Sequence, residues 1–465
     1  MEKIGTPLGQ FIDEEICWGI KTGLNDAFII DEQTREEILQ QDRDSIEIIK
    51  PLVTGSDIRN YQIEEEKQWI IYTHEGVDID QYTGVKSYLS EYRDELEGRA
   101  TKQPWYELQQ PQRAYSQYFE GAKILYPEIA PESRFAFHPG PLYPNNKCFL
   151  IPQEEPGLAA FLNSSLSLFY LSNIVAKLEG GAPDETYYEF RTQYMQQLPV
   201  CALDENIKPA KGKLAKTLDS YQDRVSEIFG QDNHTSENGP LVDSTVSELF
   251  NQVSREMHSL TGKRASLNLS LRDHLGSYSD GRTLANVGLT QPPEGSADSI
   301  LQQTTEQKPN LRVGEASVER ESPNTVEIRL TARYKPDDED ANETDQWGYT
   351  ETEALPALRI TDLTETEADL IEAFVPVAVD EAGGFADFRE TATKTNSLVD
   401  RLRKLTLPAV DDVRAGLESY TETVERAEEL EAKIERTDDL IDEIVYELYG
   451  LTDEEIEIVE ETVAD

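Results

Sequence analysis

Acidic residues outnumber basic residues along the whole chain, and this excess limits the size of the cores that the protein can build. Of 465 residues, 91 are Asp or Glu and 43 are Lys or Arg, which gives a formal net charge of −48. Residues 1–200 already carry 33 acidic and 17 basic side chains, so the excess is not confined to a tail. With 38% hydrophobic residues, we expect a folded chain of several domains, because its length exceeds that of one ordinary domain.

The even spread of acidic residues has two interpretations. One is an acidic protein that mimics DNA. The other is adaptation to a cytoplasm of molar salt, as in a halophilic archaeon, where the Debye length falls to roughly 3 Å and negative charge costs little. The even spread favours the second interpretation. Because a negative surface repels phosphate, a DNA-binding segment is expected where the acidic excess is absent.

Cysteine usage and hydropathy exclude several classes of protein. Cys17, Cys148 and Cys201 are far apart and have no CxxC spacing, which argues against a disulfide framework or a structural zinc site. The N-terminal residues lack the pattern of a secretory signal. The longest apolar stretch, Leu158–Val175, is interrupted by Ser and Asn and predicts a buried helix, not a membrane span. The sequence therefore predicts a cytoplasmic protein without membrane contact.

Patterning along the chain predicts an α+β fold in four segments. They are a mixed α/β domain (1–204), a helical spacer with a polar linker (205–309), a small β-containing segment (310–363) and a C-terminal helical region (364–465). Alternation over Val326–Tyr334, after the turn signal Ser322-Pro-Asn-Thr325, predicts a hairpin with Val313–Val318. Residues 205–229 and 410–434 have helical spacing and are expected to pack together in a coiled-coil-like pair. Residues 276–309 are expected to form a loop. The chain is expected to end with a short helix, Asp438–Tyr449, a stop at Gly450 and a further segment in which Thr452 is an N-cap with Glu455 three residues on.

Motifs for catalysis are missing. The sequence contains no phosphate loop GxxxxGK[ST], no GxGxxG turn, no HExxH and no [DNS]PP[YFW] loop for amino-group methylation. Asp57, Glu65 and Lys67 loosely fit the D…ExK arrangement of Mg²⁺-dependent nucleases. Such spacings arise by chance in a chain this acidic. We therefore predict no catalytic residue and no metal site, and keep a nuclease subunit as an alternative.

Residues 99–150 escape the acidic excess. This window holds six basic and four acidic residues together with ten aromatic residues. Basic residues interleaved with aromatic rings are typical of a surface that follows phosphates and contacts bases. Aromatic residues are equally typical of strands in a β-rich core, in which case the charges are incidental. The sequence leaves both interpretations open.

Several strings in a fixed order resemble one family. They are similar to the TaqI-like C-terminal specificity domain of adenine-specific DNA methyltransferases and of fused type IIG restriction-modification enzymes. Residues 1–204 carry most of the resemblance, and residues 437–460 resemble the C-terminus of the fused enzymes. The strings are Trp18-Gly-Ile-Lys-Thr-Gly-Leu-Asn-Asp-Ala-Phe-Ile-Ile-Asp31, Ile49-Lys-Pro-Leu-Val-Thr-Gly-Ser-Asp-Ile-Arg-Asn-Tyr61, Trp105-Tyr-Glu-Leu108, Lys123-Ile-Leu-Tyr-Pro-Glu-Ile129, Arg134-Phe-Ala-Phe137 with Tyr143-Pro-Asn-Asn-Lys147, and Leu158-Ala-Ala-Phe-Leu-Asn-Ser-Ser165.

The resemblance implies sequence-specific recognition of double-stranded DNA in a restriction-modification or phage-defence system. Family members carry a catalytic half that binds S-adenosylmethionine and flips the target adenine. No position of this sequence corresponds to that half, so we expect a separate or lost catalytic partner and no cofactor on this chain. A Mg²⁺-dependent nuclease subunit and an acidic DNA mimic remain the alternatives.

Eleven polar residues are candidates for DNA contacts. Turns at Gly19 and Gly23 would present Lys21, Thr22 and Asn25. A turn at Gly55 would present Lys50, Arg59 and Tyr61, although ion pairs with Asp57 or Glu47 are an equal explanation for Lys50 and Arg59. The remaining cations would neutralise phosphates, and the two asparagines would read adenine edges unless they only form a turn. In chain order the candidates are Lys21, Thr22, Asn25, Lys50, Arg59, Tyr61, Lys123, Arg134, Asn145, Asn146 and Lys147.

Overall fold

The chain forms two compact units. The computed structural model describes residues 1–12, 15–64, 68–179, 186–201, 221, 224–225, 228, 246–336, 344–345, 347–381 and 393–464. The first unit comprises residues 1–266 and 429–465, and the second comprises residues 267–428. About 45% of the described residues are helical and 22% are in strands, which confirms the predicted α+β class. The boundaries of the four predicted segments remain a prediction.

The first unit contains short strands and helices in alternation. Its strands are β1 (Thr6–Pro7), β2 (Cys17–Trp18), β3 (Ile29–Asp31), β4 (Ile49–Val53), β5 (Gln68–Ile71), β6 (Lys123–Pro127), β7 (Ile129–Ala130), β8 (Ala136–His138), β9 (Tyr143–Pro144), β10 (Cys148–Pro152), β11 (Ala176–Glu179), β12 (Thr186–Glu189) and β13 (Pro199–Val200). Its helices before the second unit are α1 (Leu8–Phe11), α2 (Asn25–Phe28), α3 (Glu32–Gln41), α4 (Thr83–Ser90), α5 (Arg93–Glu97), α6 (Gln117–Glu120), α7 (Gly157–Asn163), α8 (Ser165–Ser172), α9 (Thr192–Met195) and α10 (Val246–Ala265).

Two four-stranded sheets meet at one turn of the first unit. Their strand orders are β2-β10-β6-β8 and β3-β5-β4-β9, and β4 pairs with β9 in parallel. A turn of only three residues, Asn145–Lys147, connects β9 of one sheet to β10 of the other. The turn therefore links the edge strand β9 of one sheet to β10, an inner strand of the other, and it lies inside one of the strings that carry the family resemblance.

The apolar stretch Leu158–Val175 is not the single helix that its hydropathy predicts. It contains α7 and α8, separated at Ser164, which has an extended ψ of 150° and whose side chain accepts the main-chain N–H of Ser167. The preceding Asn163 pairs with the backbone of Phe135 through both amide atoms, at 3.0 and 2.8 Å. The capping serine and the buried amide before it interrupt the helix. Their side chains form hydrogen bonds with backbone groups, and these bonds replace those that a continuous helix would make within its own backbone.

The second unit is built on an antiparallel sheet. Its strands are β14 (Asp280–Thr283), β15 (Leu289–Gln291), β16 (Arg312–Ser322), β17 (Thr325–Tyr334), β18 (Thr350–Glu351), β19 (Leu355–Thr361) and β20 (Thr406–Pro408). The predicted hairpin is confirmed as β16–β17, and its alternating apolar residues are buried on one face. It belongs to a five-stranded sheet of order β15-β19-β17-β16 with β18 on β17. Residues 276–309, predicted as a loop, contain β14 and β15.

The helices that follow include a long one. They are α11 (Leu271–Leu275), α12 (Glu365–Asp380), α13 (Leu398–Arg403), α14 (Val410–Tyr449) and α15 (Asp453–Ala464). The predicted separate helix at Asp438–Tyr449 is the last part of the 40-residue α14, so that boundary is wrong. The predicted stop at Gly450 is confirmed by its φ of 65°. The predicted cap is confirmed too, because Thr452 N donates to Glu455 Oε2 at 2.9 Å.

The predicted helix at 205–229 lies mostly outside the described residues. Two of its described members contact the end of α14. Tyr221 donates a 2.8 Å hydrogen bond to Glu447, and Arg224 forms an ion pair with Glu443. The coiled-coil pairing of the two segments remains a prediction. Within the described part of the chain, no helix is both long and apolar enough to cross a membrane.

Candidate nucleic-acid interface

Two other segments of the first unit converge on the turn between β9 and β10. The segment after β2 joins it through Ile20 N, which donates to Pro144 O at 2.8 Å. The end of β4, directly before its turn at 54–57, joins it through Asn145 N, which donates to Val53 O at 2.9 Å. These segments come from three of the separate strings that resemble the specificity domain. The structure therefore brings together residues that are up to 129 positions apart in the sequence, since Gly19 N also donates to Cys148 O at 2.9 Å.

Gly19 permits this convergence. A Cβ atom on Gly19 would lie 1.9 Å from Asn145 O and 2.5 Å from Pro144 O. Any other residue would therefore push the two segments apart. Gly55 is placed similarly but less tightly, because its Cβ would lie 3.2 Å from Lys147 O. The glycines act here through close backbone approach.

A fourth segment, residues 109–112, completes the surface. Lys21 and Gln110 exchange two backbone hydrogen bonds of 3.1 and 2.9 Å, and Gln112 Nε2 donates to Gly19 O at 3.3 Å. Sequence reasoning did not select these glutamines. The available signal was a run of three glutamines, Gln109-Gln110-Pro-Gln112, inside the window that lacks an acidic excess. We call residues 18–21, 54–57, 109–112 and 145–147 together the four-loop surface.

The exposed side chains of the four-loop surface suit a nucleic acid. Trp18, Lys21, Gln110, Asn146 and Lys147 are exposed. The indole of Trp18 is 49% exposed and stands edge to face with the ring of Tyr115, whose hydroxyl donates to Trp18 O at 2.9 Å. Lysine neutralises phosphate, amide side chains can read base edges, and an exposed indole offers an apolar face.

Charge on this surface is positive. The segments contain two lysines and one carboxylate, that of Asp57. Asp57 is buried and accepts both the N–H and the hydroxyl of Thr54, at 2.6 and 2.8 Å, as a capping box. Lys147 is 63% exposed and lies 3.2 Å from Glu128. An exposed pair of this kind contributes little to stability, so Lys147 can exchange Glu128 for a phosphate at small cost.

Four of the predicted DNA contacts therefore lie on the four-loop surface. They are Lys21, Asn145, Asn146 and Lys147. Asn145 also has a structural role, since its side chain accepts the N–H of Lys147 at 2.9 Å. The turn interpretation thus applies to Asn145, whereas Asn146 is exposed, and base reading by either residue stays a prediction.

The burial of Lys123 contradicts its expected role as a phosphate contact. Its side chain has no exposed surface, and its ammonium group donates to three backbone carbonyls, of Phe119 at 3.0 Å, Gly121 at 2.9 Å and Gly140 at 2.7 Å. Burial lowers the pKa of Lys123 to about 8. The lysine ties a strand to two loops and does not face solvent.

Tyr61 is also buried and does not present its ring to DNA. It has a positive φ of 59°, only 2% of it is exposed, and its hydroxyl donates to Asp438 at 3.5 Å. Burial first, and then the negative charge of Asp438, raises the pKa of the Tyr61 hydroxyl well above its usual value. The expected contact between Tyr61 and DNA is therefore contradicted by its position in the core.

The other candidates have partners within the protein. Thr22 is buried and donates to Asn25 Oδ1 at 2.6 Å, just before α2. Lys50 lies 3.3 Å from Glu120. Arg59 pairs with Glu64 at 2.9 Å, not with the expected Asp57 or Glu47, and Arg134 pairs with Glu132 at 2.9 Å. Their part in DNA binding stays a prediction.

Four of the ten aromatic residues of the window 99–150 are buried in the core, and the other six are half-buried and pack against it. Phe119, Tyr126 and Phe135 are fully buried, and Tyr143 is 3% exposed. For these rings the core interpretation is confirmed. The nuclease alternative gains no support from Asp57, which is used in a capping box, while Glu65 and Lys67 lie outside the described residues. Among the residues that are described, no group of three His, Cys, Asp or Glu side chains is arranged to hold a metal ion.

The converging segments lie largely within a recognisable domain. Residues 50–200 match the model of the TaqI-like C-terminal specificity domain. The chain is also similar to type II methyltransferases. M.PaeR7I of Pseudomonas aeruginosa is 28% identical over 43% of this chain and 34% of its own length, and M.BanIII of Aneurinibacillus aneurinilyticus is 28% identical over 38% and 32%. The matched region thus spans about a third of each methyltransferase.

Solved structures provide a weaker likeness. The structure of the type IIL restriction-modification enzyme MmeI in complex with DNA aligns with 52% of this chain and 30% of its own, at 14% identity. The TM-score of 0.32 is too low to define a shared fold.

Proposed function

We propose that the first unit recognises a specific sequence in double-stranded DNA for an adenine-specific DNA methyltransferase of a restriction-modification or phage-defence system. The observation that carries this proposal is the four-loop surface. Segments of the matched specificity domain meet there and expose lysine and amide side chains. The similar proteins are named type II methyltransferases, which supports a role in DNA methylation.

Methyl transfer would need a catalytic partner. The sequence has no motif for S-adenosylmethionine or for adenine methylation, and the chain matches only about a third of its methyltransferase relatives. We therefore propose that S-adenosylmethionine binds to a separate catalytic half, as in a divided type IIG enzyme. This chain would position that half on DNA, in the cytoplasm of a salt-adapted cell.

Selection from a pool of random duplexes tests recognition directly. The full chain is incubated with the pool in KCl, and bound duplexes are amplified and sequenced over several rounds. We expect one short motif to become enriched. Enrichment should disappear with Asn146→Ala combined with Gln110→Ala, because amide side chains discriminate base edges. A pool that stays random with the unaltered chain would refute sequence recognition.

Methylation tests the partnership. The chain is mixed with the product of a neighbouring reading frame that carries the S-adenosylmethionine and NPPY motifs, and adenine methylation is mapped on plasmid DNA. We expect methylation only within the selected motif. Methylation that is identical without this chain would contradict the proposed role while leaving DNA binding intact.

A further inference from the structure

The second unit carries a cationic cluster around one tyrosine. Three cations surround the ring of Tyr349, with Arg312 Cζ at 4.7 Å, Arg333 Cζ at 5.1 Å and Lys335 Nζ at 5.2 Å from its centroid. Arg312 also donates to the Tyr349 hydroxyl at 2.7 Å. Residues 308–335 hold six basic and four acidic residues, so this segment, like 99–150, escapes the acidic excess.

The sheet holds the cations on one face. Arg312 on β16 and Arg333 on β17 are directly opposite each other in the register. Lys335 follows Arg333 by two positions, beyond the end of β17, where strand alternation would place it on the same side. Like charges that face each other across a ladder are unfavourable. The electron-rich ring of Tyr349 compensates part of this repulsion, since a cation over an aromatic face is attracted to it.

Among the described residues, two carboxylates lie beside the cluster, and neither forms an ion pair with Arg312 or Lys335. Asp345 pairs with Arg333 and accepts the N–H groups of Trp347 and Tyr349, each at 2.9 Å. Glu351, opposite Arg333 on β18, accepts the hydroxyl of Thr331. Within the described parts of the chain, neither Arg312 nor Lys335 forms an ion pair. Both are exposed, so their charges face solvent.

Trp347 presents its indole to solvent next to the cluster. Its main-chain N–H is accepted by the side chain of Asp345, and Gly348, with a φ of 73°, donates to Asp345 O at 2.9 Å. Trp347 is 63% exposed, the highest value for a large hydrophobic side chain among the described residues. Exposing an indole to solvent has a cost in hydrophobic free energy. Stacking against the aromatic face of a ligand would recover that free energy.

We propose that this cluster binds an unpaired stretch of DNA. Arg312 and Lys335 contact phosphates, and the indole of Trp347 stacks on a nucleobase. Arg333, which pairs with Asp345, adds its positive charge beside these two cations. Adjacent cations and an exposed aromatic ring are the two elements of a surface for single strands. The surface differs from the four-loop surface, and its function does not rest on sequence recognition by the first unit.

Binding of a fluorescent single-stranded oligonucleotide by the full chain tests the proposal. Anisotropy is measured over a series of KCl concentrations. We expect Trp347→Ala to weaken binding by about 5- to 100-fold, the range found when one stacking residue is removed. The double variant Arg312→Gln/Lys335→Gln should lower the slope of log K against log salt by about 1.4, because each lost phosphate contact on a single strand contributes about 0.7.

Matched controls distinguish this surface from the rest of the molecule. Lys394→Gln/Lys404→Gln removes the same charge from exposed positions elsewhere in the second unit and should leave binding unchanged. Trp18→Ala should reduce duplex binding and spare the oligonucleotide. The proposal is overturned if the oligonucleotide does not bind, or if Trp347→Ala and the charge variant behave like the control. Loss of duplex recognition alone would refute only the function proposed for the first unit.

Discussion

The main-chain nitrogen of Ser165 donates a 2.8 Å hydrogen bond to the carboxylate of Asp442, 277 positions further along the chain. Ser165 begins α8, and Asp442 lies on α14, one helical turn after Asp438. A carboxylate at a helix N-terminus satisfies a free N–H group and interacts well with the helix dipole. This contact makes the last segment of the chain part of the first unit.

The two carboxyl groups on α14 should make stability depend on pH. Burial, and then the charge of Asp442, raises the pKa of Asp438 to about 7, and burial raises that of Asp442 to about 6. A carboxyl whose pKa is raised by folding favours the folded state when protonated. The free energy of unfolding should therefore be highest near pH 4 to 5 and fall as the pH rises through 6 and 7.

Asp438→Asn removes a buried charge and should abolish part of the decrease in the free energy of unfolding at high pH. At pH 8 we expect the variant to be more stable by on the order of 1–3 kcal/mol, and near pH 4, below which the unfolded carboxyl is protonated too, to resemble the unaltered protein. Chemical denaturation at constant salt measures both values. Glu425→Gln, at an exposed position on the same helix, is the control. Equal stabilities at pH 8 would show that Asp438 carries no such penalty.

Gly19→Ala should separate the loops of the four-loop surface. Its Cβ would overlap Asn145 O, and overpacking of this kind costs about 1–3 kcal/mol. We expect a lower melting temperature and weaker duplex binding. Gly140→Ala is the matched control, because no atom lies within 4 Å of its Cβ. Unchanged duplex affinity in a folded Gly19→Ala protein would argue against the four-loop surface as the DNA site.

Lys147→Gln should remove one phosphate contact. The slope of log K against log salt for duplex binding is expected to decrease by about 0.9. Lys86→Gln is a suitable control because Lys86 is also an exposed lysine paired with a carboxylate, that of Asp80. Titration of a labelled duplex at several KCl concentrations provides both slopes. Identical slopes for the two variants would exclude a phosphate contact by Lys147.

Lys123→Met should destabilise the fold without altering DNA contacts. Removing the ammonium group leaves the carbonyls of Phe119, Gly121 and Gly140 without their donor, which costs about 1–3 kcal/mol. Lys147→Met, at an exposed position, should change stability by less than about 0.5 kcal/mol. Denaturation curves test the difference. If Lys123 bound a phosphate, the Lys123→Met variant would instead have normal stability and a reduced salt dependence of DNA binding.

Local features were predictable from the sequence alone. The β16–β17 hairpin, the end of α14 at Gly450 and the cap at Thr452 each depend on residues a few positions apart, so neighbours in the sequence contain the information. Most of the resemblance strings lie within residues 50–200, the range that matches the model of the specificity domain.

The tertiary structure decided which side chains face solvent. Lys123 and Lys147 are both lysines in the same near-neutral window, yet one is fully buried and the other is 63% exposed. Their difference comes from chain segments that are distant in sequence and pack around Lys123 but not around Lys147. The four-loop surface and the contact between Ser165 and Asp442 are set in the same way. Burial is the sum of long-range contacts, which no pattern of neighbouring residues specifies.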